Sequence, residues 1–156
     1  MINPDFMQLA IDLALEGINN EQSGPFGAVI VKQGEIIGVG TNRVTSSKDP
    51  TAHAEVSAIR NACLKLNNFS LAGCEIYTSC EPCPMCLGAI FWARLDKIYY
   101  AANRADAARA NFDDSLFYEE IKKAPEQRLI PMTQIMHQES LKIFSAWDQN
   151  TNKIPY

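Results

Sequence analysis

Asp49-Pro50-Thr51-Ala52-His53-Ala54-Glu55 is the segment that organises this sequence, and it is answered 27 residues beyond Glu55 by Pro82-Cys83-Pro84-Met85-Cys86. Asp49-Pro50-Thr51 opens a helix, because a side-chain acceptor followed by proline marks a helix start. His53 and Glu55 lie two apart, about 200° around a helix axis, so they do not share a face. They converge only near that helix's first turn. Cys83 and Cys86 are three apart at the start of a second predicted helix and can face one point. The positive end of that helix and its unsatisfied N–H groups favour thiolate over thiol. One imidazole and two thiolates are a donor set for Zn²⁺, and three protein ligands leave the fourth tetrahedral position to water. Glu55 is then a carboxylate beside the metal rather than on it.

Near the start of the chain, Asn3-Pro4 reads as an N-cap with proline at the first helical position. Phe6, Leu9, Ala10, Leu13 and Gly17 recur at helical spacing, which ends the first helix near Gly17. Gly24-Pro25 is a turn. Residues 27–31 and 35–40 predict two short strands, and Lys32-Gln33-Gly34 between them is short enough for a hairpin. The helix opened at Asp49 places Val56, Ile59, Cys63 and Leu66 on one face. Further along, the pattern predicts strands over 74–78, 97–101 and 130–137, and helices over 83–94, 114–122 and 140–149. Strands alternating with helices from residue 51 onward give an α/β sheet covered on both faces. An antiparallel hairpin leading into parallel strands makes that sheet mixed.

The chain has 156 residues, the length of one domain with a real core, and no internal repeat or linker divides residues 1–156. A hydrophobic share of 47% and a charged share of 21% are those of a soluble globular protein. The net charge of −4 supplies no global field to collect phosphates, which weighs against a nucleic-acid partner. The N-terminus lacks the basic start and apolar stretch of a signal peptide, and no apolar run approaches the roughly 18 residues of a membrane span. The expected location is the cytoplasm, with no membrane partner. Of the five cysteines, Cys80, Cys83 and Cys86 lie within seven residues, a spacing for metal or redox chemistry rather than a disulfide framework. Cys63 and Cys74 read as apolar core residues. Cys80-Glu81-Pro82-Cys83 overlaps the first C-x-x-C and leaves two rivals open: a redox dithiol, or a closed structural zinc site of His53, Cys80, Cys83 and Cys86. Neither rival explains Glu55 or the proline before Cys83.

The pattern H-x-E … P-C-x-x-C matches the signature of zinc deaminases that act on nucleobases. Together with Gly24-Pro25-Phe26-Gly27-Ala28-Val29-Ile30-Val31, Tyr77-Thr78-Ser79-Cys80-Glu81-Pro82-Cys83-Pro84-Met85-Cys86, Phe112-Asp113-Asp114-Ser115 and the terminal Tyr156, it makes the chain resemble, end to end, the small bacterial guanine deaminases of the cytidine-deaminase-like superfamily. The resemblance implies a three-layer α/β/α fold with a central five-stranded mixed sheet. It implies one Zn²⁺ per chain on His53, Cys83 and Cys86, and Glu55 as proton shuttle. It also implies substrate contacts by Asn42, Asp114 and Tyr156, with Phe26 and Trp92 among the aromatic walls. The implied reaction is hydrolysis of guanine to xanthine and ammonia, in purine catabolism or salvage. The implied assembly is a homodimer, in which a C-terminal segment of about residues 140–156 packs on, or is exchanged with, the partner subunit.

The chemistry of such a site is consistent with these residues. Zinc lowers the pKa of a bound water from ~15.7 to about 7, so a nucleophile for an amino-bearing ring carbon exists at neutral pH. A carboxylate serves as base and then acid only if its pKa is tuned toward the working pH. Guanine asks for an acceptor facing its N–H groups, an amide that both donates and accepts, and apolar faces for the ring, which Asp114, Asn42 and the aromatics respectively offer. From residues alone, Asp113 and Asp114 also read as caps for a helix at Ser115, Phe26 and Trp92 as core, and Asn42 as a turn residue. His137 reads as an exposed strand residue, and Glu119-Glu120 with Lys122-Lys123 as a solvated helix face. Three competing functions stay open. A tRNA adenosine deaminase shares the zinc motif but calls for basic residues along the C-terminal segment. A deaminase of another small amino-heterocycle, such as cytosine, a nucleoside or an aminotriazine, differs by few pocket contacts. A closed structural zinc domain would be no enzyme.

Overall fold

The computed structural model describes residues 3–20 and 24–156. They form two compact units, Met1–Asp114 and Ser115–Tyr156. In the first unit, helix α1 (Pro4–Asn19) starts where the sequence places it, with the Asn3 side chain accepting the Asp5 N–H at 3.0 Å. It continues past Gly17 to Asn19. Strands β1 (Gly27–Lys32) and β2 (Glu35–Thr41) follow, joined by Gln33 and Gly34, both at positive φ. Two positive φ angles make the tight two-residue hairpin turn whose twist matches the strands. The remaining elements of this unit are α2 (Val44–Ser47), α3 (Ala54–Leu66), β3 (Cys74–Cys80), α4 (Pro84–Trp92), β4 (Lys97–Ala102) and α5 (Arg104–Arg109). The short helices α2 and α5 have no periodic signal in the sequence.

The sheet is mixed, with strand order β2-β1-β3-β4: β1 is antiparallel to β2 and β3, and β3 is parallel to β4. Among the described residues it has four strands, which corrects the expected five. The missing strand is the one expected over 130–137, where the chain instead runs without regular structure into a helix at His137. Pro131 removes a ladder donor there, and Met136 at φ 53 leaves the extended region altogether.

Alternate residues of β1 face opposite layers. Val29 and Val31 pack with Tyr77 against Ala10 of α1, while Ala28 and Ile30 pack with Ile76 against Ala54, Ala58 and Ala62 of α3 and Ile90 of α4. That is the expected α/β/α layering. The face of α3 differs from the reading of Val56, Ile59, Cys63 and Leu66. Its fully buried line is Ala54, Ala58 and Ala62, with Ile59, Cys63 and Leu66 flanking. The reason lies in β2. A Cβ on Gly40 would stand 2.1 Å from the Ala54 carbonyl oxygen, so helix and strand approach backbone to backbone. A bulge opposite Ile30 and Val31 leaves Ile37 unpaired, so Ile37 and Gly38 both turn toward α3. This contact sets where the N-terminus of α3 lies.

The second unit contains α6 (Ser115–Lys122), a 3₁₀ turn (Pro125–Gln127) and α7 (His137–Gln149). Glu119 pairs with Lys122 on exposed surface, as a solvated face should, whereas Glu120, paired with Lys123, is mostly hidden from solvent at 17% exposed. His137 is exposed but opens a helix, not a strand.

Candidate active site

His53 is the N-cap of α3 and Cys83 the N-cap of α4, both in extended backbone. Glu55 sits in the first turn of α3, which is the one placement that lets it and His53 converge. Pro50 therefore precedes the helix proper by four positions, and the Asp49 carboxylate closes a turn by accepting the Thr51 N–H at 2.8 Å. The ligand atoms of His53, Cys83 and Cys86 all lie within 4.8 Å of one another. His53 Nδ1 is 3.6 Å from Cys83 Sγ and 3.5 Å from Cys86 Sγ. An imidazole and two thiols around one point are a fitting donor set for zinc.

Electrostatics favour that use. Cys83 is drawn down to about 4 by hydrogen bonding from the Cys86 thiol, helped by His53 and by the Cys86 backbone N–H. The Cys86 thiol is pushed up for the reciprocal reason, with a thiolate at hydrogen-bond distance and burial added. A divalent cation between them favours thiolate at both. His53 is raised by its hydrogen bond to Cys83, against partial burial.

Glu55 is 5% exposed. Its Oε2 accepts from Cys86 Sγ at 3.4 Å, and its Oε1 lies 3.3 Å from the Thr78 hydroxyl, whose proton is shared with the Cys80 carbonyl at 2.9 Å. Burial pushes the Glu55 carboxyl above the ordinary carboxylate range. Thr78 is a contact that sequence reasoning missed, and its only signal was a hydroxyl on a buried strand face.

Cys80 is not part of the cluster. Its thiol points to the Asn103 carbonyl at 3.8 Å, and burial raises it to about 11. A closed site through Cys80 is therefore not formed: among the described residues three donors, not four, converge. Cys74 is fully buried in the core and Cys63 packs against it, as read.

The other expected residues divide into three groups. Asn42 is buried at the end of β2. Its N–H donates to the Phe26 carbonyl at 3.1 Å, and its Oδ1 accepts from Val44 N at 3.2 Å. The Phe26 ring meets Phe112 edge-on at 5.0 Å, which seats the 112–114 segment beside it. Asp114 pairs through Oδ1 with Arg104 Nε at 3.6 Å and is mostly hidden from solvent. Burial raises the Asp114 carboxyl, the Arg104 guanidinium pulls it back, and the charge of Cys83 reaches it. Trp92 stands apart: it closes α4 at the end opposite Cys83, about 13 Å along the axis, and is 65% exposed. Tyr156 ends the second unit, exposed.

Comparison with known proteins agrees with this geometry. The pattern of the cytidine and deoxycytidylate deaminase zinc-binding region matches residues 2–102. Guanine deaminase of Bacillus subtilis (strain 168) is 55% identical over 156 residues, covering 100% of both chains. Its X-ray structure superposes with a TM-score of 0.97 over 100% of this chain and 99% of that one. A guanine deaminase from Nitrosomonas europaea is 33% identical, with a TM-score of 0.69 over 74% of this chain and 67% of that one. A tRNA-specific adenosine deaminase of Buchnera aphidicola is 34% identical over 145 residues, 93% of each chain. With ligands, fold and sequence in agreement, the chain belongs to the zinc-binding cytidine and deoxycytidylate deaminase family.

Proposed function

We propose that this chain hydrolyses guanine to xanthine and ammonia, using one zinc ion held by His53, Cys83 and Cys86. The observation that carries the chemistry is the convergence of those three ligands with Glu55 buried against Cys86. The full-length similarity to a guanine deaminase supports the choice of ring. Zinc, when bound, supplies an activated water at neutral pH. With the metal in place, Glu55 would hold and move both protons of the attacking water: the first goes to a ring nitrogen, and the second, taken from the oxygen as it becomes the product carbonyl, goes to the departing amine. In the metal-free site burial favours the protonated form of Glu55, and the charge of a bound cation would draw it back toward the carboxylate, so both forms are within reach of a group that acts first as base and then as acid. The balance is one guanine and one water consumed, one xanthine and one ammonia released.

Asp114 accepts from N–H groups of the ring, Asn42 contributes an amide, and Phe26 covers one ring face. Trp92, remote from its own chain's zinc ligands, contacts a ring only across a subunit boundary. We read residues 1–156 as one functional domain that works as a homodimer in the cytoplasm. In that assembly the segment of about 140–156, with Tyr156, packs on or is exchanged with the partner. The apolar side chains Phe91 and Trp92 on α4, at 70% and 65% exposed, support a protein-covered face. Incubating the zinc-loaded protein with guanine, adenine, cytosine, their nucleosides and an anticodon stem-loop, with ammonia as readout, tests the substrate. Guanine should dominate. Turnover of the stem-loop with none of guanine would replace this reading by RNA editing.

A further inference from the structure

Arg104 joins two parts of the candidate site that are far apart in sequence. Its backbone N–H donates to the Glu81 carboxylate at 3.1 Å, and the Glu81 N–H donates to the Ala102 carbonyl at 2.8 Å. The corner between β4 and α5 is thereby tied to the loop that delivers Cys83. The same corner is fixed from its other side by a reciprocal cap. Asn103 Oδ1 accepts from the Ala105 and Asp106 N–H groups, and the Asp106 carboxylate accepts from the Asn103 N–H at 2.9 Å.

From this rigid corner the guanidinium reaches back to Asp114. Nε stands 3.6 Å from Oδ1, with the Arg104 side chain 39% exposed and that of Asp114 16% exposed. The far end of the segment is held too, by the Phe112 N–H donating to the Ala107 carbonyl at 3.0 Å and by the Phe112 ring on Phe26. A mostly hidden carboxylate near a thiolate ligand loses solvation and meets like charge. An adjacent guanidinium offsets both and restricts the carboxylate's rotation.

We propose that Arg104 is a positioning residue for guanine recognition: it orients the Asp114 carboxylate toward the N–H groups of the ring and supplies the compensating charge. This rests on the reading of Asp114 as a substrate acceptor. Arg104 touches neither substrate nor metal and acts only through Asp114.

The test is a double-mutant cycle on the zinc-loaded protein, with kcat and KM for guanine and zinc content measured for each variant. Arg104→Gln should raise KM about tenfold at unchanged zinc content, and Arg104→Lys should recover part of that loss. A fold defect would lower the amount of active enzyme, and hence kcat, without moving KM. Adding Arg104→Gln to Asp114→Ala should cost nothing beyond Asp114→Ala alone, because the residue it acts through is gone. Losses that multiply in the double variant would overturn the proposal, as would an unchanged KM in Arg104→Gln beside a strong effect of Asp114→Ala. Should Asp114→Ala itself leave guanine turnover intact, the substrate reading of Asp114 falls first, and this proposal with it.

Discussion

Glu55 combines two properties that rarely coincide on a carboxyl: near-complete burial and contact with a metal ligand. Replacing it by glutamine keeps the shape and removes the titrating group. Glu55→Gln should therefore lower guanine turnover by at least ~10³-fold while zinc content stays near one per chain, measured by ammonia release and metal analysis. Substantial residual activity would remove Glu55 from the mechanism. The same substitution has a pH signature in zinc-stripped protein. Burial raises the folded-state pKa of Glu55 above its unfolded value, so the fold disfavours the ionised form. No penalty exists below about pH 4, where both states are protonated, and it grows as pH rises through the folded-state pKa. Zinc-stripped Glu55→Gln should then melt above zinc-stripped parent at pH 7, with the gap closing toward pH 4.

At the scale of elements, the site is the meeting of two helix N-termini, and each is placed by packing. Helix α3 is set by its contact with the glycines of β2, where a Cβ on Gly40 would also stand 2.5 Å from Ala58 N. Gly40→Ala must push α3 off the sheet and carry His53 and Glu55 with it. The expected cost is about 1–3 kcal/mol of stability, read by denaturant unfolding, together with weakened zinc binding. A variant with parental stability and zinc affinity would show that α3 adjusts freely, contrary to the backbone contact described above. Sequence periodicity pointed to the larger residues of this helix as its buried face. The alanines lie deeper because β2 meets them with Gly38 and Gly40, and such a match between two elements is invisible in either one.

For the whole molecule, zinc binding is coupled to protonation. His53 must lose its proton to bind metal, and its hydrogen bond to Cys83 raises the pKa at which it does so. Zinc affinity should fall as pH drops through that raised value, so dialysis with a mild chelator should strip metal faster at about pH 5.5 than at pH 8. The α/β/α core does not depend on the ligands for its packing, so far-ultraviolet circular dichroism should survive the loss of zinc. The proposed homodimer allows a sharper experiment. Chains carrying Glu55→Gln and chains lacking Tyr156 are each expected to be poor enzymes. If the tail serves the partner's site, mixing them after unfolding and refolding should restore activity in one site per hybrid dimer. No restoration would place Tyr156 in the site of its own chain.

The grouping of His53, Cys83 and Cys86 beside Glu55, the hairpin, and the alternation of strands with helices were legible in the sequence because each follows from a local pattern. Donor types two or three residues apart at a helix start, a glycine-bearing turn, and an apolar run before it need no knowledge of distant partners. The fifth expected strand was misread for a related reason: residues 130–137 have an apolar pattern, but a strand exists only where a neighbour completes its ladder. Tertiary structure alone showed where Cys80 goes, its thiol lying 3.8 Å from the Asn103 carbonyl. It alone also brought the Thr78 hydroxyl to Glu55 and the Arg104 guanidinium to Asp114. The division has one physical origin. Ligand spacing is written along a single helix turn, whereas orientation of the groups around the ligands depends on contacts between elements, which only the folded chain brings together.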